Sequence, residues 1–235
     1  NGRYNHVAAP AVSKQAPGSN ADLWQHLRNN FHLSNRTRAE SQRWAAWYAQ
    51  RGGIQNVLDR SAGYLWHISD SLDARGMPSE LALLPAVESG FKSTAYSHAA
   101  ASGMWQFIPS TGVRYGLNTN YWYDGRREWG DSTRAALDYL QMLHGMFNDW
   151  ELALAAYNCG EGCVQNRINR NIAKGLPVDF WSLSLPRETR EYVPKLLGVV
   201  ELVAYPERYG LNLPPLTRDY ALEKVDLQAP IDMGL

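Results

Sequence analysis

Glu88 stands alone as the carboxylate of the apolar stretch LLPAVESGF, residues 83–91. Most glutamates sit on wet surfaces. One flanked by Leu84, Pro85, Ala86, Val87 and Phe91 is open to desolvation, which disfavours its charged form and raises its pKa. A carboxylic acid that keeps its proton near neutral pH can donate it to a leaving group. The plainer reading, a surface glutamate at the end of a core helix, stays open on these residues alone.

The other reactive side chains are Cys159 and Cys163, in NCGEGCV. Lacking a nearby His pair, they make a poor zinc site. They do not form a C-x-x-C redox pattern. One helical turn brings such a pair within bridging range, yet so short a loop adds little stability. A disulfide and two free thiols both stay open, and a catalytic cysteine is disfavoured. Neither a metal nor a cofactor is implied by the chain.

The elements that must position Glu88 read as helices. Leu23, Trp24, Leu27 and Phe31 mark a first, Trp44, Trp47 and Tyr48 a second over about 36–51, and Ile54 to Leu72 a long third ending near Gly76 and Pro78. Ser79 is the expected cap of the helix carrying Glu88, Pro85 should kink it or break its first turns, and Gly90 should end it. A polar loop over 93–102 leads to GMWQF and a short helix from Pro109. Asp131 is the expected cap of a strong helix reaching Phe147. Further helices are expected over 150–157, closed by Gly160, over 164–173, and over 189–203 with Pro194 inside. The expected fold is mainly α.

The domain division reads as a flexible leader, 1–20, a helical domain, 21–205, and an extended, Pro-containing tail, 206–235. The tail alternates through Tyr220, Leu222, Val225 and Leu227, a lone-strand pattern that is unstable by itself, so the natural protein is expected to continue beyond Leu235. Lys+Arg and Asp+Glu both number 23, which argues against a nucleic-acid or anionic-membrane footprint. No apolar run reaches the roughly 18 residues of a membrane span. If the protein is exported, its targeting segment is absent from this chain. Nine Trp and thirteen Tyr suit sugar binding, since a flat apolar face with a polar edge matches a pyranose ring, although core filling is the default for most of them.

Four segments, in order, carry a family resemblance over residues 22–213. They are Glu88–Ser89 in PAVESGF, the Gly-x-x-Gln element from Gly103 to Gln106, the Ala-Tyr-Asn element from Ala156 to Asn158, and the Glu-Thr-Arg-x-Tyr-Val element that ends with Tyr192 and Val193. The chain resembles the goose-type, lysozyme-like lytic transglycosylases of bacterial cell walls. The resemblance implies a lysozyme-like fold with a glycan groove and peptidoglycan glycan strands as the partner. It implies cleavage of the β-1,4 bond between N-acetylmuramic acid and N-acetylglucosamine, with the muramic acid C6 hydroxyl closing on C1 in place of water. It also implies a periplasmic location, with outer-membrane anchoring of a longer protein. Two features depart from the family's spelling: the cysteines around Gly-Glu-Gly, and REWGDST before the helix near Asp131. These 235 residues include neither a LysM-type repeat nor a lipid-attachment cysteine, so the expectation is either a fragment of a longer protein or targeting supplied elsewhere.

On that resemblance Glu88 is the catalytic acid, expected to titrate on the order of pKa 6. Ser89 bonds the carboxylate or substrate, or else caps the helix end. Gln106 addresses an N-acetyl group or sugar hydroxyl, or pins its loop. Met104 dries Glu88 or is plain core. Tyr157 and Asn158 reach the groove from a helix end, with Asn158 as a simple cap the alternative. Tyr192 orients Glu88 from another helix or is a buried structural tyrosine. Trp105 and Phe107 stack on sugars or, preferably, pack. A second carboxylate would come from Asp124, Glu128, Asp131, Asp138 or Glu161, none of which matches a catalytic element of the family. A water-adding lysozyme and a silent peptidoglycan-binding module are the competing readings.

Overall fold

The structure is a computed structural model and describes residues 21–220. The leader and the alternation from Leu222 onward lie outside the described residues. Asp22 opens α1 (Leu23–Asn29) by accepting the Trp24 N–H at 3.1 Å, and the helix buries Leu23, Trp24 and Leu27. A 3-10 turn, Ser34–Thr37, replaces the start of the second predicted helix, so α2 spans Ala39–Arg51. α3 (Ile54–Arg75) stops at Gly76 as its pattern predicts.

The Glu88 segment departs from expectation in one detail. A 3-10 turn, Ser79–Leu83, feeds a five-residue α4, Leu84–Glu88. Ser79 does not cap it. Pro78 holds the position before the turn, and the Ser79 hydroxyl is buried without a partner among the described residues. Pro85 falls in the first turn of α4, where a missing N–H costs no hydrogen bond.

α5 (Pro109–Arg114) and α6 (Trp129–Phe147) follow. Glu128, not Asp131, caps α6. Its carboxylate accepts the N–H groups of Gly130 and Asp131, which leaves Asp131 inside the first turn. The longer glutamate side chain reaches both donors from a position three residues earlier. α7 (Trp150–Cys159), α8 (Glu161–Ile172) and α9 (Arg187–Ala204), which runs through Pro194, complete the set. Among the described residues, β-pairing is limited to the isolated bridges Tyr96–Ser102, Ser102–Phe107 and Thr119–Asp124.

The core forms around α7 and α9. Ala153 to Ala156 have no exposed surface, so the middle of α7 is apolar all round, and the helix packs against α6, α8 and α9. α9 lies along α2 so closely that a Cβ at Gly198 would stand 2.8 Å from the Trp44 Cβ and 2.9 Å from the Ala45 nitrogen. The segment after α9 returns to the first helix. The Leu23 N–H donates to the Leu216 carbonyl, and the Leu216 N–H to the Asp22 carboxylate, both at 3.0 Å. No helix among the described residues is long and apolar enough to cross a membrane.

Candidate active site

A cleft of about 540 Å3 opens where the C-terminal ends of α4 and α7 meet the N-terminal half of α9. Its walls include Glu88, Gln106, Tyr157, Asn158 and Tyr192, so five of the seven sequence-nominated residues share one cavity. Ser89 and Met104 are not on its wall. Ser89 donates to the Met104 carbonyl at 2.8 Å and accepts the Lys92 N–H at 3.1 Å, tying the end of α4 to the GMWQF loop. The Met104 side chain is fully buried. Trp105 is buried with its indole N–H on Thr133 at 2.9 Å, so it packs, whereas Phe107 meets the Tyr157 ring edge-on and also lines the cleft.

Glu88 is half-buried at the end of α4, whose Leu84 and Pro85 are buried. The Tyr192 hydroxyl donates to its Oε1. Burial pushes the carboxyl up to about 7, and the Glu188 charge adds to the rise, while the Tyr192 hydrogen bond and the Lys195 ammonium hold it down. The phenols of Tyr157 and Tyr192 are themselves raised well above the ordinary range, first by burial and then by the Glu88 charge. At neutral pH both remain donors. Tyr157 uses its proton on the Trp105 carbonyl at 2.9 Å. Asn158 accepts the hydroxyl of Thr189 through its carboxamide oxygen at 2.8 Å, which leaves its amide donors for the cleft.

Gln106 is held by strain as well as bonds. Its φ is 52°, a left-handed conformation few non-glycine residues adopt, and its amide donates to the Gly103 carbonyl at 2.8 Å. Thus it pins its own loop while lining the cleft. Gly103 is required there: a Cβ would overlap the Arg126 carbonyl oxygen at 1.7 Å. Arg126, nearly buried, fixes this loop by donating to the carbonyls of Ala100 at 2.7 Å and Phe107 at 3.0 Å while gripping Asp124.

Of the candidate second carboxylates, Glu161 alone lines the cleft. Arg114 takes its Oε1 at 2.9 Å and the Tyr139 hydroxyl its Oε2 at 3.2 Å. A backbone hydrogen bond within Glu161 and these partners hold it below the usual carboxylate range. Burial raises Asp124, but the hydrogen bonds from Arg126 outweigh it and keep Asp124 ionised. Glu128 is the α6 cap, Asp131 lies in that helix's first turn, and Asp138 pairs with Arg75 and Arg134.

Cys159 and Cys163 form a disulfide that bridges the α7–α8 junction across Gly160, beside Asn158. Sequence reasoning missed Glu188 and Lys195, which flank Glu88 from α9. Their spacing with Tyr192, i, i+4 and i+7, places all three on one helical face and was the available signal.

The helical fold, with an acid-bearing cleft between α4, α7 and α9, is that of a lysozyme-like domain. Residues 68–176 match the family model described as Transglycosylase SLT domain. The chain is 41% identical to membrane-bound lytic murein transglycosylase D of Escherichia coli (strain K12) over 218 residues, 91% of this chain and 48% of that protein. It is 43% identical over 122 residues to a putative tributyltin chloride resistance protein of Alteromonas sp. (strain M-1), covering 52% of this chain and 59% of that one. Among solved structures, an inactive mutant of the lytic transglycosylase Slt from Pseudomonas aeruginosa aligns at a TM-score of 0.45 and 22% identity, over 64% of this chain and 25% of the other. The chain thus carries a Transglycosylase SLT domain over residues 68–176. It spans about half the length of the E. coli relative it matches.

Proposed function

We propose that this chain is the catalytic domain of a lytic transglycosylase that cleaves the MurNAc-β-1,4-GlcNAc bond of peptidoglycan without water and leaves 1,6-anhydro-MurNAc ends. The single observation that carries this reading is a carboxyl group on a cleft wall, raised to about 7 by burial and hydrogen-bonded by a tyrosine. Near neutral pH such a group exists in both protonation states, which one residue needs to act as acid and then as base.

Glu88 first protonates the glycosidic oxygen as the C1–O bond breaks. The resulting carboxylate then takes the proton of the C6 hydroxyl as that oxygen bonds C1. The proton lost in the first step is regained in the second, so no water is consumed. Holding the hydroxyl near C1 gives a high effective molarity that favours ring closure. Asn158 supplies amide donors for an N-acetyl group, Gln106, whose amide N–H groups go to the Gly103 and Ala95 carbonyls, offers its carboxamide oxygen as an acceptor, and Tyr192 holds the Glu88 carboxyl in place through both steps.

Glu161 is the feature that favours a lysozyme-type hydrolase, which needs a second carboxylate as nucleophile or base. Both its oxygens are engaged by Arg114 and Tyr139, which makes it a poor base. A binding-only module has no need of a raised acid. The catalytic unit is proposed to be residues 21–205, acting in the cell envelope on the periplasmic side, with outer-membrane anchoring supplied by the longer protein.

Mass spectrometry of products from purified sacculi tests the reading. Anhydro-muropeptides are expected. Products heavier by one water would show hydrolysis, and full activity of Glu88→Gln would remove the assigned acid.

A further inference from the structure

Thr189 is buried in the first turn of α9, one residue after Glu188 and three before Tyr192. It lies outside residues 68–176, so a part of the chain beyond the SLT match brings it in. It is not on the cleft wall. Threonine does little for the helix itself, because its branched side chain lowers helix propensity. A helical threonine commonly turns its hydroxyl back to the carbonyl four residues earlier. Thr189 instead donates to the Asn158 carboxamide oxygen at 2.8 Å, across 31 positions of sequence.

Asn158 stands in the last turn of α7 and lines the cleft together with Glu88 and Tyr157. It is not the cap of that helix, since Gly160 holds the C-cap position. A carboxamide has two ends of similar shape and opposite polarity: the oxygen accepts and the NH2 group donates. Turning it over exchanges the two at small steric cost. The disulfide at Cys159 restrains the backbone next to Asn158, but it leaves this rotation open. The Thr189 hydroxyl closes it. With the oxygen engaged by Thr189, the two amide hydrogens of Asn158 are left without an acceptor among the described residues. With the carboxamide turned over, Nδ2 would face Thr189, and the hydroxyl proton would lose its acceptor inside the protein, which is costly.

We propose that Thr189 is a positioning residue for glycan cleavage: it locks the Asn158 carboxamide so that the sugar meets hydrogen-bond donors, matched to an acetamido carbonyl oxygen. The proposal rests on the transglycosylase reading, which supplies that sugar. Thr189 touches no substrate and acts through Asn158 alone.

The test uses soluble glycan strands. Thr189→Val keeps the shape of the side chain and removes the hydroxyl. The freed carboxamide then presents its oxygen to the sugar for part of the time, and its donors are held less firmly. KM should rise about fivefold, with kcat and the kcat–pH profile unchanged. Thr189→Ser keeps the donor and should bring KM back to within about twofold of the wild type. In an Asn158→Ala background, Thr189→Val should have no further effect, because no carboxamide remains to be oriented. An unchanged KM in Thr189→Val, no recovery in Thr189→Ser, or an equal rise in the Asn158→Ala background would each overturn the assignment and leave the cleavage reading intact. If the valine variant does not fold, Thr189→Ala, which removes the hydroxyl without adding a methyl group in its place, carries the same expectations. A wild-type protein that cuts no glycan removes the cleavage reading itself, and this proposal with it.

Discussion

The Tyr192 hydroxyl reaches across 104 positions of sequence to donate to Glu88 Oε1. That bond favours the charged form of Glu88 against burial, which favours the neutral one. Tyr192→Phe keeps the ring and removes the donor. The Glu88 pKa should then rise further, and the alkaline limb of the kcat–pH profile should move to higher pH. Hydrogen bonds to charged groups contribute about 1.5–3 kcal/mol, so kcat should fall by about tenfold or more. A profile with an unmoved limb would leave Tyr192 as a packing residue.

The raised pKa of Glu88 also links folding to pH. Below the ordinary carboxylate pKa of 4.5, the folded and unfolded chains both hold this proton, and its contribution is fully present. Between 4.5 and about 7 the unfolded chain releases it while the folded chain keeps it, so stability is lost as pH rises through this window. Glu88→Gln removes the titration. The variant should therefore gain thermal stability over the wild type progressively from pH 4.5 to about 7, with a constant margin above. Paired melting curves across this range check it, and a margin that shrinks with pH would contradict the buried-acid picture.

How much of this was legible beforehand varies by residue. Glu88 could be picked out because an acid in an apolar run has few cheap environments. Helix lengths followed apolar periodicity, and α3 ended at the Gly76 that marked it. The α6 cap was misassigned because Glu128 and Asp131 both carry cap-capable carboxylates, and only the path of the chain before the helix decides between them. Arg126 was invisible for a related reason. Its partners are the carbonyls of Ala100 and Phe107, and backbone acceptors leave no mark in side-chain patterns. The strained φ of Gln106 is equally a product of loop closure. Whether Cys159 and Cys163 bridge depended on the bend at Gly160, which four residues of spacing do not define.

That bridge offers a third test. It links the last residue of α7 to α8 beside Asn158, which lines the cleft. The loop it closes is short, so a chain-entropy argument gives it about 2 kcal/mol at most. Cys159→Ser with Cys163→Ser should therefore lower stability modestly and leave a folded protein. Freeing the junction should raise KM by several-fold on the order expected for a loosened binding group, with the kcat–pH profile unchanged because Glu88 and Tyr192 sit on α4 and α9. A shifted profile would mean that the junction acts on the acid itself.

Gly103 tests whether the loop that carries Gln106 is held by backbone contact. Its φ is +83°, and an added Cβ would lie 1.7 Å from the Arg126 carbonyl oxygen, a backbone atom that cannot rotate away. Gly103→Ala must push the loop off Arg126, weakening the hydrogen bonds to Ala100 and Phe107 and shifting Gln106 along the cleft wall. A loss of about 3 kcal/mol is expected, at the upper end for overpacking, because conformational strain adds to the clash. Gly145→Ala is the matched control. Gly145 lies inside α6 with nothing within 4 Å of an added Cβ, so alanine there should be neutral or stabilising by about 0.5–1 kcal/mol. Denaturant unfolding of both variants decides the point. If the two behave alike, close approach at Gly103 is not what holds the Gln106 loop against the cleft.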